Sequence, residues 1–423
     1  MAIPNWLTLS AVSGSGDTII TITASTLESL SARTTDLIVS GITKSVTVPV
    51  EQKPHEYAED YLTFDILTSG KIYWQRLRSQ SSPRTVQYRI NGGEWSSITS
   101  TLSASSSNFS VQVGDKVEFK GTNSSYGSST AINGGFRFES DSAAFNVQGN
   151  IMSLVYGDDF QNQTVLTDSY TFSELFYGGS NGPIDASNLV LPATTLTTGC
   201  YAAMFNGPGG LVKPPKVLPA TNVPSSAYTG MFTHCHSMTT APVISAQTLS
   251  TNSCRGMFFD CYSLATAPEL SFTTVDELSC FQMFMWCSGM TAGPSVLPAT
   301  SLARSCYSSM FEGCTSLQTP PALPATTLAQ GCYYGMFDGC SALETAPDLL
   351  ATTLVTDCYK EMFENCSSLN YIKCLATNPG SARTGSWVDG VASSGTFVKN
   401  PNVTTWASGV NGIPTNWSVV NTT

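Results

Sequence analysis

The side chains able to do nucleophilic, acid–base or metal chemistry are few and unevenly placed. The chain holds three histidines, His55, His234 and His236, and thirteen cysteines, all between Cys200 and Cys374. A Ser-His-Asp or Cys-His catalytic site needs a histidine oriented by a third group. His55 follows Lys53-Pro54 in an expected linker and is not read as catalytic. Thr233-His234-Cys235-His236 is the one metal-like constellation, since Cys and His are the usual zinc ligands. Zinc frameworks show paired spacings that are absent here, and Cys235 falls at a position that recurs as an inward one. The segment is therefore read as a surface turn carrying two histidines, and no metal or cofactor is expected. Carboxylates are scattered singly, with Asp158-Asp159 and Asp276-Glu277 as adjacent exceptions read as solvated acids. A glycosidase pair must converge across a cleft, which a sequence does not display. No Walker phosphate loop, dinucleotide fingerprint or EF-hand loop occurs, so no catalytic residue is assigned.

The elements that must carry these residues follow from an internal repeat. Met-Phe recurs at Met204, Met231, Met257, Met283, Met310, Met336 and Met362, with spacings of 27, 26, 26, 27, 26 and 26 residues. Thirteen residues before each Met stands Leu or Ile, and four residues after it stands Cys in six copies, Pro208 being the exception. Each unit reads as LPATTL, CYxxMF, GCxSL, then xxxPxL. The i, i+4 placement of Cys332 and Met336 predicts a short helix or 3₁₀ turn, and Ser341 to Pro347 a short strand ended by Pro. Such a unit cannot bury its apolar face alone, so seven copies over 191–375 must stack into a solenoid. Leu175-Phe176, a degenerate Met-Phe, marks 151–190 as an N-terminal cap. The Trp-rich stretch 376–423, with Trp387, Trp406 and Trp417, is expected to close the other end with core rings. Repetition of Cys at equivalent positions favours buried thiols stacked in ladders over disulfides.

Three residues after Met the copies read Gly207, His234, Asp260, Trp286, Gly313, Gly339 and Asn365, a turn position tolerant of change. Trp286 and His234 are the best candidates to protrude there and to touch a ligand.

Charged residues are 12% of the 423, and 19 basic against 30 acidic residues leave a net charge of -11. Nucleic-acid binding needs a basic stripe, so nucleic acid and anionic membrane are poor partners. No apolar run reaches the ~18 residues of a membrane span. Met1 to Ala32 contains no Lys or Arg, so the expectation is a chain without an export signal. Residues 5 to 53 alternate as strands near 6–9, 18–23, 36–39 and 46–50. Residues 54–150 form a second β module with strands near 62–67, 71–74, 85–90, 94–98, 110–113, 116–120 and 136–139. Asn91-Gly92-Gly93 signals a hairpin there.

The LPATTL, CYxxMF and GCTSLxxxP units, with Gly395-Thr396-Phe397-Val398 and Gly412-Ile413-Pro414, resemble the BspA-like leucine-rich repeats of Bacteroides-type gut bacteria and their phages. The resemblance covers about 160 to 423. Asn5 to Ser10, Ser13 to Asp17 and Ser45 to Glu51 resemble the later strands of the BACON domain, an immunoglobulin-like module. The expected fold is mainly β: immunoglobulin-like β modules, then a capped leucine-rich-repeat solenoid with a strand and short helix per repeat. The expected function is that of a non-enzymatic phage virion protein, crAss-like phages included, serving as head fibre, decoration or tail fibre. Residues 1–53 would anchor to a capsid or tail protein, and the solenoid would adhere to host surface or mucin glycans. A homo-oligomer, in particular a trimer, is what such fibres imply. The alternative is a bacterial cell-surface adhesin or glycan-binding protein exported by a signal outside this sequence. A carbohydrate-active enzyme is a third, weaker reading.

Overall fold

The computed structural model describes residues 57–77, 82–103, 107–127, 135–178, 182–207 and 210–422, together with the backbone of four strands nearer the start. Of those four, β1 (Leu7–Leu9) pairs antiparallel with β2 (Ile22–Ala24), and β3 (Arg33–Ser40) with β4 (Ser45–Gln52). Of the expected strand at 18–23, Ile22 and Thr23 lie in β2, and 18–21 lie outside the described residues. The rest of the expected BACON-like module, including Asn5-Trp6 and Ser13 to Asp17, and also His55, lies outside the described residues.

Each strand expected in the second module is present, shifted by a few residues at most. They are β5 (Leu62–Ile66), β6 (Gly70–Arg76), β7 (Thr85–Ile90), β8 (Ser96–Thr99), β9 (Asn108–Val111), β10 (Lys116–Lys120) and β11 (Phe136–Ser140). The β7–β8 hairpin turns through Asn91 and Gly92, both at positive φ, which matches the right-handed twist of the strands it joins. Sheet β11-β6-β9 and the sheet containing β5, β10, β7 and β8 bury a common core. Phe64 packs against Phe119, Phe138 and Phe145 within it.

An eighth strand, β12 (Phe145–Asn150), was not expected and decides how the molecule is joined. On one side it pairs antiparallel with β5; on the other it pairs parallel with β13 (Asn188–Val190), Gln148 opposite Asn188. The six-stranded sheet therefore crosses the expected division at 150/151, and a single hydrophobic core runs from Leu62 to Trp417.

Beyond this junction the chain is a β-solenoid of about eight turns. Consecutive coils meet through short parallel ladders such as Asn222-Val223, Thr248-Leu249 and Thr274-Val275, each 26 residues on from the last. Leu175-Phe176 behaves as a coil in its own right, since Phe172, Glu174 and Phe176 donate their amides to Cys200, Ala202 and Met204. At the far end Tyr371–Cys374, Thr396–Lys399 and Ser418–Asn421 pair in parallel. Trp387 is fully buried, stacks on Trp406 and donates its indole N–H to Gly412 O at 2.8 Å.

The CYxxMF stretch corrects one expectation: among the described residues of 191–375 there is no helix. Every fourth residue is left-handed instead, as at Gly331, Gly335 and Gly339, or Asp357, Glu361 and Asn365. L-residues in that conformation cannot continue a right-handed helix. Amides alternate in their use: Cys332, Tyr334, Met336 and Asp338 donate to carbonyls three residues back, while Tyr333, Gly335, Phe337 and Gly339 donate to the next coil. The i, i+4 apolar spacing thus records four-residue turns.

This geometry sets identical side chains above one another. Phe176, Phe205, Phe232, Phe258, Phe284, Phe311, Phe337 and Phe363 stack with centroids 5.3 to 5.7 Å apart. Six cysteines four residues after Met form a second ladder, each donating its thiol to the carbonyl of the preceding coil's Phe, as Cys314 Sγ does to Phe284 O at 3.1 Å. A small apolar side chain with one weak donor suits that place, which explains why the position is Cys. All thirteen cysteines are buried, free thiols, as the repetition implied. Coils three and four carry Ser-Cys (Cys254, Cys280) where coil two carries Ala-Tyr and the others Cys-Tyr, and Phe272 replaces the usual small Ala of LPATTL. Phe272 is fully buried and reaches Tyr307 at 6.5 Å, occupying volume that the absent tyrosines leave.

Candidate functional site

The position three residues after Met is left-handed in coils two to seven: His234, Asp260, Trp286, Gly313, Gly339 and Asn365 have φ of 56 to 72°. Gly and Asn tolerate this conformation, whereas other residues are disfavoured by ~1–2 kcal/mol. A histidine and a tryptophan therefore stand where the backbone prefers glycine. Trp286 is 48% exposed, and it leans over Gly313, where an added Cβ would lie 2.3 Å from its ring. The glycine of one coil is thus what seats the tryptophan of the coil before it.

The two residues singled out by sequence, His234 and Trp286, belong to one patch. Both contact Phe259, His234 edge-on at 5.6 Å and Trp286 tilted at 5.0 Å. His236 stacks on Tyr262 at 4.6 Å, and Tyr262 is itself 48% exposed. The result is an aromatic strip along the turn edge of coils two to four.

Asp260 lies within the strip, and its Oδ2 is shared: His234 Nδ1 is 3.0 Å away and His236 Nε2 2.9 Å. In the sequence Asp260 stands out only as a variable turn residue. The signal was present, because 234 plus one 26-residue repeat is 260, and equivalent positions of successive coils are neighbours. Cys235, between the histidines in sequence, faces the other way and donates to Phe205 O at 3.2 Å. Burial pushes its thiol well above the ordinary range, so it supplies neither thiolate nucleophile nor metal ligand at this face. The His–Asp arrangement accordingly has no activated cysteine beside it.

Of the remaining candidate acids Asp159 is exposed, and the other three are tied into structural pairs. Asp276 accepts from Thr251 Oγ1 at 3.0 Å, and Glu277 pairs with Arg304 at 2.9 Å. Asp158, expected to be solvated, accepts from Lys120 and from Tyr61 at 2.7 Å. Hydrogen bonding from Lys120 and then Tyr61 holds its carboxyl below the usual range, while burial pushes the Tyr61 hydroxyl up to about 12. Around them Arg89 and Lys120 lie 4.7 and 4.4 Å over the Trp95 ring, and Arg89 forks onto Glu118. That cluster, not visible in the sequence, joins β5, β7 and β10 and satisfies its own charges.

Farther along, the turn edge changes character. Two residues after Met, coils five to seven carry Glu312, Asp338 and Glu364, where coils three and four carry Phe259 and Met285. Burial, with neighbouring carboxylates, raises the carboxyls of all three. No helix among the described residues is long and apolar enough to cross a membrane. No family model, curated protein or solved structure matches the chain, so its function is argued from this geometry.

Proposed function

We propose that this chain is a non-enzymatic binding and presentation protein whose solenoid displays the aromatic edge to a carbohydrate or protein surface. One observation carries the reading: Trp286 is held half-exposed in a left-handed conformation, packed on Phe259 and Gly313, in a scaffold that accepts glycine at the same place. Strain retained at an exposed aromatic marks a site kept for contact. A rigid array of rings is also a fitting platform for sugar faces.

The most specific form of this reading is a virion protein, a head fibre, decoration or tail fibre, of a phage of Bacteroides-type gut bacteria. In that form the coils are BspA-like leucine-rich repeats and residues 1–53 are a BACON-like, immunoglobulin-related anchor to a capsid or tail protein. A trimeric assembly and host-surface or mucin glycan ligands belong to the same proposal. Thirteen buried free thiols suit assembly in a reducing cytoplasm. The alternative, a bacterial cell-surface adhesin, shares the binding edge and differs in location.

Trp286→Gly tests the edge without disturbing the coil, because glycine already occupies the equivalent place in coils five and six. Binding of the full chain to mucin and to host cells should fall at least tenfold while the melting temperature holds. Undiminished binding would sink the proposed edge. Peptide mass spectrometry of purified phage particles beside washed host envelopes separates the two locations: stoichiometric recovery from particles supports the virion form, and recovery from envelopes alone overturns it.

A further inference from the structure

We propose that His234 Nδ1, His236 Nε2 and Asp260 Oδ2 form a three-ligand site for a divalent transition-metal ion, zinc foremost, on the turn edge of coils two and three. The three atoms lie within 4.8 Å of one another. Zinc bonds of ~2.0–2.2 Å to nitrogen and oxygen place tetrahedral ligands about 3.3 Å apart. The Asp260 oxygen sits 3.0 and 2.9 Å from the two ring nitrogens, so these two separations need to widen by only a few tenths of an ångström around an ion, while the two ring nitrogens, within 4.8 Å of each other, settle to the same spacing. Two imidazoles with one carboxylate suit zinc, cobalt or nickel, whereas calcium and magnesium prefer all-oxygen sets.

The backbone fixes the ligands before any ion arrives. His234 and Asp260 hold the same left-handed position in successive coils. Their amides are tied to the next coil, His234 N to Phe259 O and Asp260 N to Met285 O, both at 2.8 Å. His236 is held against the Tyr262 ring and His234 against Phe259. The three side chains are 27 to 44% exposed, so the ion keeps a position open to water or to an oxygen of a bound partner. Three protein ligands with an open fourth place describe an exchangeable site, unlike a closed structural one. The site does not depend on the glycan-binding reading; it would stand if that edge bound nothing.

The test uses the full chain, stripped with chelator under a non-coordinating reductant, titrated with Co²⁺ and then with Zn²⁺. One equivalent of Co²⁺ should bind, with visible d–d bands of a nitrogen–oxygen site and no thiolate charge-transfer band, and Zn²⁺ should displace it. His234→Ala, His236→Ala and Asp260→Ala should each weaken binding at least tenfold, since even outer-shell losses cost that much, while His55→Ala should leave it unchanged. Zn²⁺ should raise the melting temperature of the native chain and of His55→Ala, but not of the three ligand variants, whose metal-free melting confirms that they fold. Absence of saturable binding, a thiolate band, or binding that survives any one of the three substitutions would overturn the site.

Discussion

Coils two to four and coils five to seven share one backbone and an inward stack of Met, Phe and Cys, yet their turn edges differ. The first set carries His234, His236, Phe259, Tyr262 and Trp286; the second carries Glu312, Asp338 and Glu364 with Gly313 and Gly339 between. Inside, a change in one coil is balanced by another: Cys254 and Cys280 replace tyrosines, and Phe272 replaces an alanine. The interior conserves volume because it is close-packed, while the edge faces solvent and is free to acquire chemistry. Function is therefore to be sought in what distinguishes coils two to four outside.

The comparison breaks most visibly if the two interiors are not equivalent. Phe258→Ala and Phe311→Ala each remove one ring from the same stack and should cost about 3–5 kcal/mol, by urea unfolding of the full chain. A large loss in only one set of coils would show that the ladder is not a shared support. Volume compensation is sharpened by a double-mutant cycle. Phe272→Ala should destabilise strongly, and Phe272→Ala with Cys280→Tyr, which restores the common pattern, should recover ~1–3 kcal/mol of that loss. Strict additivity of the two changes would end the compensation argument.

Smaller effects test the thiol ladder. Cys261→Ala and Cys314→Ala each remove a donor to a Phe carbonyl and should cost about 1 kcal/mol by the same unfolding measurement. Burial raises the Cys200 and Cys254 thiols to about 12. The native chain should therefore expose none of its thirteen thiols to an aromatic disulfide reagent at mildly alkaline pH, and all of them after denaturation.

The smallest effect belongs to the acidic half. Burial raises the Glu312 carboxyl above its ordinary 4.5, aided by Asp338 and Glu361 and opposed by a hydrogen bond from Ser309. The folded chain thus holds a proton that the unfolded chain has released, so stability falls as pH rises through a window opening just above that value. Glu312→Gln should flatten this part of the pH profile by under about 1 kcal/mol, given solvent screening, in melting curves from mildly acid to neutral pH. An unchanged profile would remove the distinction between acidic and aromatic edges that concerns stability.

Much of this was legible before any coordinate. The Met-Phe register told that Met336 and Cys340 face inward, because a 26-residue repeat superposes equivalent positions, and the closing tryptophans, Trp387 among them, were expected in the core. It was equally informative about His234 and Trp286, which occupy a place where glycine also fits. The helix expected at Cys332–Met336 failed because i, i+4 spacing is common to a helix and to four-residue turns. Strand β12 was missed because Phe145-Asn-Val-Gln-Gly-Asn carries few apolar residues and has a glycine at positive φ, Gly149, next to its end.

The sequence alone determined the repeat, its inward face and the ladder of thiols, since stacking of equivalent residues follows from periodicity. Tertiary structure alone decided three things: that alternate amides bond to the next coil through left-handed turns, that one sheet passes from β5 through β12 into β13, and that Asp260 meets two histidines. Each depends on how neighbouring segments are offset in space, which sets diagonal contacts and backbone partners that no single coil encodes.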